Sequence, residues 1–207
     1  HEEGMDLDVA TGGELHVARN AGVPADRLVL HGNNKSDVEL AMALEEGVGR
    51  IVVDSFDEMD RIERLVAEGH RPPQVLVRLT PGIEAHTHEF VQTGHDDTKF
   101  GFTVSTGAGE EAVRRAAASD AMNLVGTHVH IGSQVFSTDS LAEAARRVAR
   151  LVAPFDLPEL SMGGGLGVAY VEGEEAPTIE EWADAVLGAC EEEGVTAKVS
   201  SEPGRAI

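Results

Sequence analysis

Residues 126–134, Gly-Thr-His-Val-His-Ile-Gly-Ser-Gln, set two imidazoles on alternate positions of a short β-branched run. In a strand, side chains at i and i+2 leave the same face, so His128 and His130 point one way and Thr127, Val129 and Ile131 the other. The pair fits a metal clamp, a cofactor contact or two satisfied core imidazoles. A second His-x-His, His86 and His88 with His95 nearby, keeps a barrel metal hydrolase in view, although these three follow Pro81-Gly82 in a loop-like stretch. The run Met-Gly-Gly-Gly-Leu-Gly supplies Gly163, Gly164 and Gly165 after a strand, where unhindered backbone N–H groups can turn toward an anion; a phosphate nest and a tight turn both fit. A dinucleotide fingerprint fits poorly, because its third glycine position falls on Val168. In Ser-Glu-Pro-Gly-Arg, Glu202 stands at a strand's carboxyl end, Pro203 and Gly204 fix a turn, and Arg205 projects immediately after. A surface salt bridge would explain that motif alone. Beside a phosphate loop one strand earlier, an anion-binding Arg205 and a proton-holding Glu202 explain it better.

Two further stretches stand out. Asp-Val-Ala-Thr-Gly-Gly-Glu-Leu, residues 8–15, puts Asp8 at a strand end and Thr11 where it would cap a helix. Residues 93–102, with Lys99-Phe100-Gly101, mix turn formers too specifically for filler, but physical chemistry alone gives them no role.

These groups must be carried by something, and the chain repeats one phrase: an apolar run, a polar turn, an amphipathic helix. Strands are expected at 7–10, 27–32, 50–55, 74–82, 124–133, 159–165 and 197–204, and helices at 36–47, 56–69, 110–119, 140–152 and 179–194. Met59, Ile62, Leu65 and Val66 show the three-and-four spacing of a buried helical stripe. Such alternation demands right-handed crossovers and a mainly parallel sheet. Every strand ends in polar or glycine-rich text, which suits a TIM-type (β/α)8 barrel whose active site gathers at those ends. With seven visible strands, Gly4 reading as a helix stop and the chain halting after a strand, residues 1–207 are expected to be one partial barrel domain, the first strand unit lying before residue 1.

Composition bounds the chemistry. A chain of 207 residues with 42% hydrophobic content can bury a real core. A formal charge of −21 argues against nucleic acid and anionic membrane surfaces, both of which recruit Lys and Arg. No apolar run reaches the roughly 18 residues of a membrane span. One cysteine, Cys190, forbids an internal disulfide, and a cytoplasmic enzyme is the expectation.

Taken as a set and in order, DVATGGEL, HGNNKS, TGHDDTKFGF, GTHVHIGSQ, GGGLGVAY and EPGR resemble the barrel domain of the diaminopimelate decarboxylase family. These are fold-type III pyridoxal-phosphate enzymes related to ornithine and arginine decarboxylases and, in the barrel, to alanine racemase. HGNNKS and HIGSQ lean toward the diaminopimelate branch. The resemblance implies pyridoxal 5′-phosphate as cofactor, an amino-acid substrate, release of CO2 from meso-diaminopimelate to give L-lysine, and a homodimer with sites at its subunit interface. It implies His130 flat against the cofactor ring with His128 as a supporting neighbour. It also places Ser133, Gly163, Gly164, Gly165 and the Glu202-Pro203-Gly204-Arg205 segment at the phosphate, Arg205 also at a substrate carboxylate, Glu202 at the pyridine nitrogen, and Asp8 and Arg78 near the reactive side. No metal is implied. An acidic partner keeps a pyridine nitrogen protonated; alanine racemases place an Arg there, so Glu202 argues for decarboxylation. Two departures stand against the family pattern. Lys35, Lys99 and Lys198 are the only lysines, and none lies in the motif of the family's cofactor-holding lysine. The family's carboxyl-terminal β-domain has no counterpart here either. This chain alone is therefore expected to be inactive, its longer parent active. An ornithine- or arginine-type decarboxylase, a noncatalytic carrier of the cofactor and a metal-dependent hydrolase are the competing readings.

Overall fold

A computed structural model describes residues 4–83 and 99–206; the expectations on His86, His88 and His95 lie outside the described residues. The chain forms two compact units, one of residues 1–78 and 111–125, the other of residues 79–110 and 126–207.

The first unit alternates strand and helix: β1 (Leu7–Val9), α1 (Gly12–Asn20), β2 (Leu28–Leu30), α2 (Asp37–Glu46), β3 (Arg50–Val53), α3 (Phe56–Ala67) and the start of β4 (Gln74–Thr80). The strands pair in parallel and in sequence order, Leu7 with Leu28, Val29 with Arg50 and Ile51 with Val75. Local chemistry fixes the helix starts. Thr11 and Ser55 accept the N–H groups of Glu14 and Glu58, and Ser36 forms a reciprocal capping box with Glu39. Helix α3 turns Met59, Ile62 and Leu65 inward, as the spacing predicts. The core here is Leu28, Leu30, Leu40, Ile51, Val52, Met59 and Ile62, all fully buried. Arg115 on α4 (Ala108–Ala118), a helix whose first residues belong to the second unit, bridges Asp60 and Glu63 of α3.

In the second unit the end of β4 pairs with β5 (Phe102–Thr103). Then come the end of β6 (Asn123–Val129), α5 (Thr138–Val152), β7 (Glu159–Ser161), α6 (Ile179–Glu192) and β8 (Lys198–Ser200). Gly126 pairs with Glu159, and Glu159 with Lys198, again in parallel. A Cβ on Gly126 would lie 2.1 Å from the Glu159 carbonyl oxygen, so that register requires glycine. Helices α5 and α6 pack side by side, with Arg146 and Arg150 reaching Glu192 and Glu193.

Two expectations are corrected. Among the described residues the seven visible strands become eight, because the Lys99-Phe100-Gly101-Phe102 stretch, which had no assigned role, leads into β5. A two-residue strand has no periodicity to read; pairing with β4 and a bond from the Thr80 hydroxyl to the Phe100 carbonyl (2.5 Å) define it. The strands of the second unit also end about four residues earlier than expected, at Val129, Ser161 and Ser200. Gly132, Gly163 and Gly165 have φ of +145°, +64° and +105°, conformations that a β-ladder cannot continue. Consequently His128 lies in the strand and His130 beyond it, so the alternation argument for a shared face stops at Val129.

Candidate active site at the strand tips of the second unit

The tails beyond β6, β7 and β8 fold against one another. The Glu202 N–H donates to the Gly163 carbonyl (2.9 Å), and the Val135 N–H to that of Gly165 (2.8 Å). Gln134 clamps Val168 through both ends of its amide, donating to the carbonyl at 3.0 Å and accepting from the N–H at 3.1 Å. Ser133, half-buried, sits between Gly132 and this clamp.

Side-chain chemistry concentrates on Glu202. One carboxylate oxygen accepts the Ser161 hydroxyl at 2.6 Å, and the other lies 3.0 Å from Nε2 of His128. His128 is 1% exposed, so its ring is supplied to the carboxylate from inside the core. A carboxylate only accepts, which puts the His128 proton on Nε2. The Ser161 hydroxyl also accepts the Gly163 N–H (3.2 Å), and the Gly164 N–H points at Nδ1 of His130 (3.4 Å). His130 is half-buried, with Nδ1 as acceptor and therefore its proton on Nε2.

Each glycine of the triplet has a packing reason. A Cβ on Gly163 would lie 2.2 Å from the Val129 carbonyl oxygen, one on Gly164 2.2 Å from that of Glu202, and one on Gly165 2.0 Å from that of Gly132. Close approach of three strand tips thus demands these glycines before any anion is considered. Gly165→Ala, which combines that clash with a φ of +105°, is expected to cost about 2 kcal/mol or more of stability. Chemical denaturation of the variant beside wild type checks this.

The remaining residues expected at the site are less gathered. Pro203, Gly204 and Arg205 are exposed just past Glu202. Asp8 and Arg78 belong to the first unit. There Asp8 is 3.5 Å from Nε2 of His31, and Arg78, 7% exposed, is 3.8 Å from Asp54. Of the lysines, Lys35 is buried in an ion pair with Glu58, Lys99 is exposed beside the Phe100 ring, and Lys198 opens β8 at the opposite end from Glu202. Ser161 was missed by sequence reasoning. Its signal is modest: it is the last residue of β7, polar and separated from the glycine turn by Met162 alone, in a chain where every expected strand ends in polar text.

Comparison with known proteins gives the family. The family described as "Pyridoxal-dependent decarboxylase, pyridoxal binding domain" matches residues 1–207. Diaminopimelate decarboxylase of Mycobacterium tuberculosis is 48% identical over all of this chain and 49% of its own length, and that of Bacillus subtilis is 41% identical over the same shares. The crystal structure of diaminopimelate decarboxylase from Helicobacter pylori complexed with L-lysine superposes with a TM-score of 0.89 at 30% identity, covering 97% of this chain and 51% of that one. The chain spans about half the length of the curated relatives it matches. Its parallel strands and intervening helices are an incomplete α/β barrel of the kind these enzymes share. With the whole sequence matched and identities near one half, the chain belongs to the pyridoxal-dependent decarboxylase family.

Proposed function

We propose that the full-length protein is a diaminopimelate decarboxylase, converting meso-diaminopimelate to L-lysine and CO2, and that both compact units are parts of its cofactor-binding domain. The observation that carries this reading is the meeting of the Glu202 carboxylate, the glycine turn and the His130 ring at one set of strand tips. The family's cofactor, pyridoxal 5′-phosphate, fits this donor set: it needs a cradle free of side chains for a phosphate, a flat face for a ring and an acceptor for a ring N–H. Gly163, Gly164 and Gly165, with Ser133, Pro203, Gly204 and Arg205, would hold the phosphate. His130 would lie on the ring and Glu202 would hold the proton on its nitrogen. Arg205 would also meet the substrate carboxylate. When bound, the cofactor supplies a protonated ring that accepts the negative charge left as CO2 departs.

The chain's own residues supply charge and position. Glu202 would supply an anion for the ring nitrogen, and an opposite charge within about 4–6 Å favours the protonated form. Lys35 is committed to Glu58, Lys198 stands at the far end of its strand and Lys99 sits beside the Phe100 ring; none of the three lies in the motif of the family's cofactor-holding lysine, so that amine would come from outside these residues. The substrate assignment is supported by the diaminopimelate decarboxylase relatives and by the L-lysine bound to the H. pylori enzyme. A cytoplasmic homodimer belongs to the same reading. Among the described residues no helix is long and apolar enough to cross a membrane.

Full-length protein supplied with pyridoxal phosphate is expected to release CO2 from diaminopimelate at least ten times faster than from ornithine or arginine, while residues 1–207 alone release none. Preference for ornithine or arginine would move the assignment to another branch. Cofactor uptake without CO2 release from any of the three would make the protein a carrier.

A further inference from the structure

We infer that Ser161 and His128 are positioning residues that hold the Glu202 carboxylate in the orientation and charge state its task requires. The inference rests on the reading of Glu202 as partner of the cofactor's ring nitrogen. Glu202 lies on an irregular tail two residues past β8, where a glutamate side chain is free to sample many rotamers. Two donors remove that freedom. The Ser161 hydroxyl binds one oxygen at 2.6 Å and the His128 ring N–H the other at 3.0 Å, so the plane of the carboxylate is fixed from two neighbouring strands, β7 and β6. Both donors are buried: Ser161 is 3% exposed and His128 1%.

The serine is itself oriented. Its oxygen accepts the Gly163 N–H, so its single proton is directed at Glu202. One hydroxyl therefore couples the start of the glycine turn to the carboxylate, and the residues expected at the phosphate and at the ring nitrogen move as a unit. The two donors also act on charge. Hydrogen bonds to a carboxylate favour its ionised form, so the proton shared between Glu202 and a ring nitrogen rests on the nitrogen. Each carboxylate oxygen carries two lone-pair sites, so an ionised carboxylate can accept more donors than these two.

The test uses the full-length protein loaded with pyridoxal phosphate labelled with 15N in the ring. In Ser161→Ala and His128→Leu the ring resonance is expected to move toward that of unprotonated pyridine at neutral pH. The kcat should fall about 10- to 100-fold, the range for loss of a hydrogen bond to a charged group, with KM for the amino acid within about twofold of wild type. Ser161→Thr and His128→Gln, which keep a donor near the lost one, should restore most of both signals. A purely structural role would lower thermal stability without moving the 15N resonance. Wild-type resonance and kcat in both Ser161→Ala and His128→Leu would overturn the inference. Glu202→Gln run in parallel separates the two levels: if it too leaves the ring nitrogen protonated, the reading of Glu202 fails, whereas if it alone deprotonates the ring, only the positioning role fails.

Discussion

Glu202→Gln in the full-length protein is expected to reduce turnover about a thousandfold while cofactor uptake stays within a few-fold of wild type. The substitution preserves size and one acceptor but removes the charge. A unit charge facing a ring nitrogen at about 4 Å is worth roughly 4 kcal/mol at an effective dielectric near 20, which corresponds to about three decades in rate if it is felt fully in the transition state. The amide also conflicts with its neighbours. Ser161 and His128 both present protons to the carboxylate oxygens, so the amide nitrogen must face one of two donors. On the proposed reading, cofactor uptake would draw on contacts spread over the glycine turn and the Ser133 loop and would be affected far less. Single-turnover CO2 release measured beside cofactor absorbance checks both halves. Unchanged turnover would remove the charge argument altogether.

Much of this arrangement was legible in the sequence, and the failures have physical causes. Helix starts were readable because their signals are local: Ser36 with Glu39 and Thr178 with Glu181 form capping boxes that involve only four consecutive residues. Strand starts were equally readable. Strand ends were not, because a β-branched run flowing into glycine looks extended until the positive φ of Gly132 and Gly163 is known. In the sequence the glycine triplet fits both an anion nest and a tight turn, and bare N–H groups do not choose between them. In the fold two of those groups already have acceptors, Ser161 and His130, and all three missing side chains are explained by crowding from Val129, Glu202 and Gly132. The pairing of Glu202 with His128 spans 74 residues and that with Ser161 spans 41. No local pattern encodes contacts of that range; only the fold does.

The same blindness hid the second large effect, which lies in the first unit: Lys35→Met is expected to destabilise the protein by about 3–5 kcal/mol. Lys35 and Glu58 are 2% and 1% exposed and 2.7 Å apart. The ammonium also donates to the carbonyls of Gly32 and Val52, at 2.7 and 2.6 Å, while the second Glu58 oxygen accepts the Asp54 N–H at 3.2 Å. All three ammonium protons are therefore used, and the pair ties the turn after β2 to the end of β3 and the first turn of α3. Burial pushes the Glu58 carboxyl above the ordinary carboxylate range, against the opposing pull of Lys35. Methionine fills much of the lysine volume but leaves that carboxyl buried without a cation. It then takes up a proton in the folded state at pH values where the unfolded chain is ionised. A carboxyl with a raised folded pKa contributes stability below its unfolded value, near 4.5, and loses it as pH rises through the folded value. The deficit of Lys35→Met relative to wild type should accordingly be largest at neutral pH and shrink as pH falls toward 4.5. Lys35→Met/Glu58→Leu, which removes both charges, should recover a large part of the loss, because an apolar pair of similar volume carries no desolvation cost. Urea unfolding of wild type and both variants at pH 7 and pH 5 reads all of this. A Lys35→Met deficit below 1 kcal/mol at pH 7, or one that grows on acidification, would show that the pair is not the lock its burial indicates.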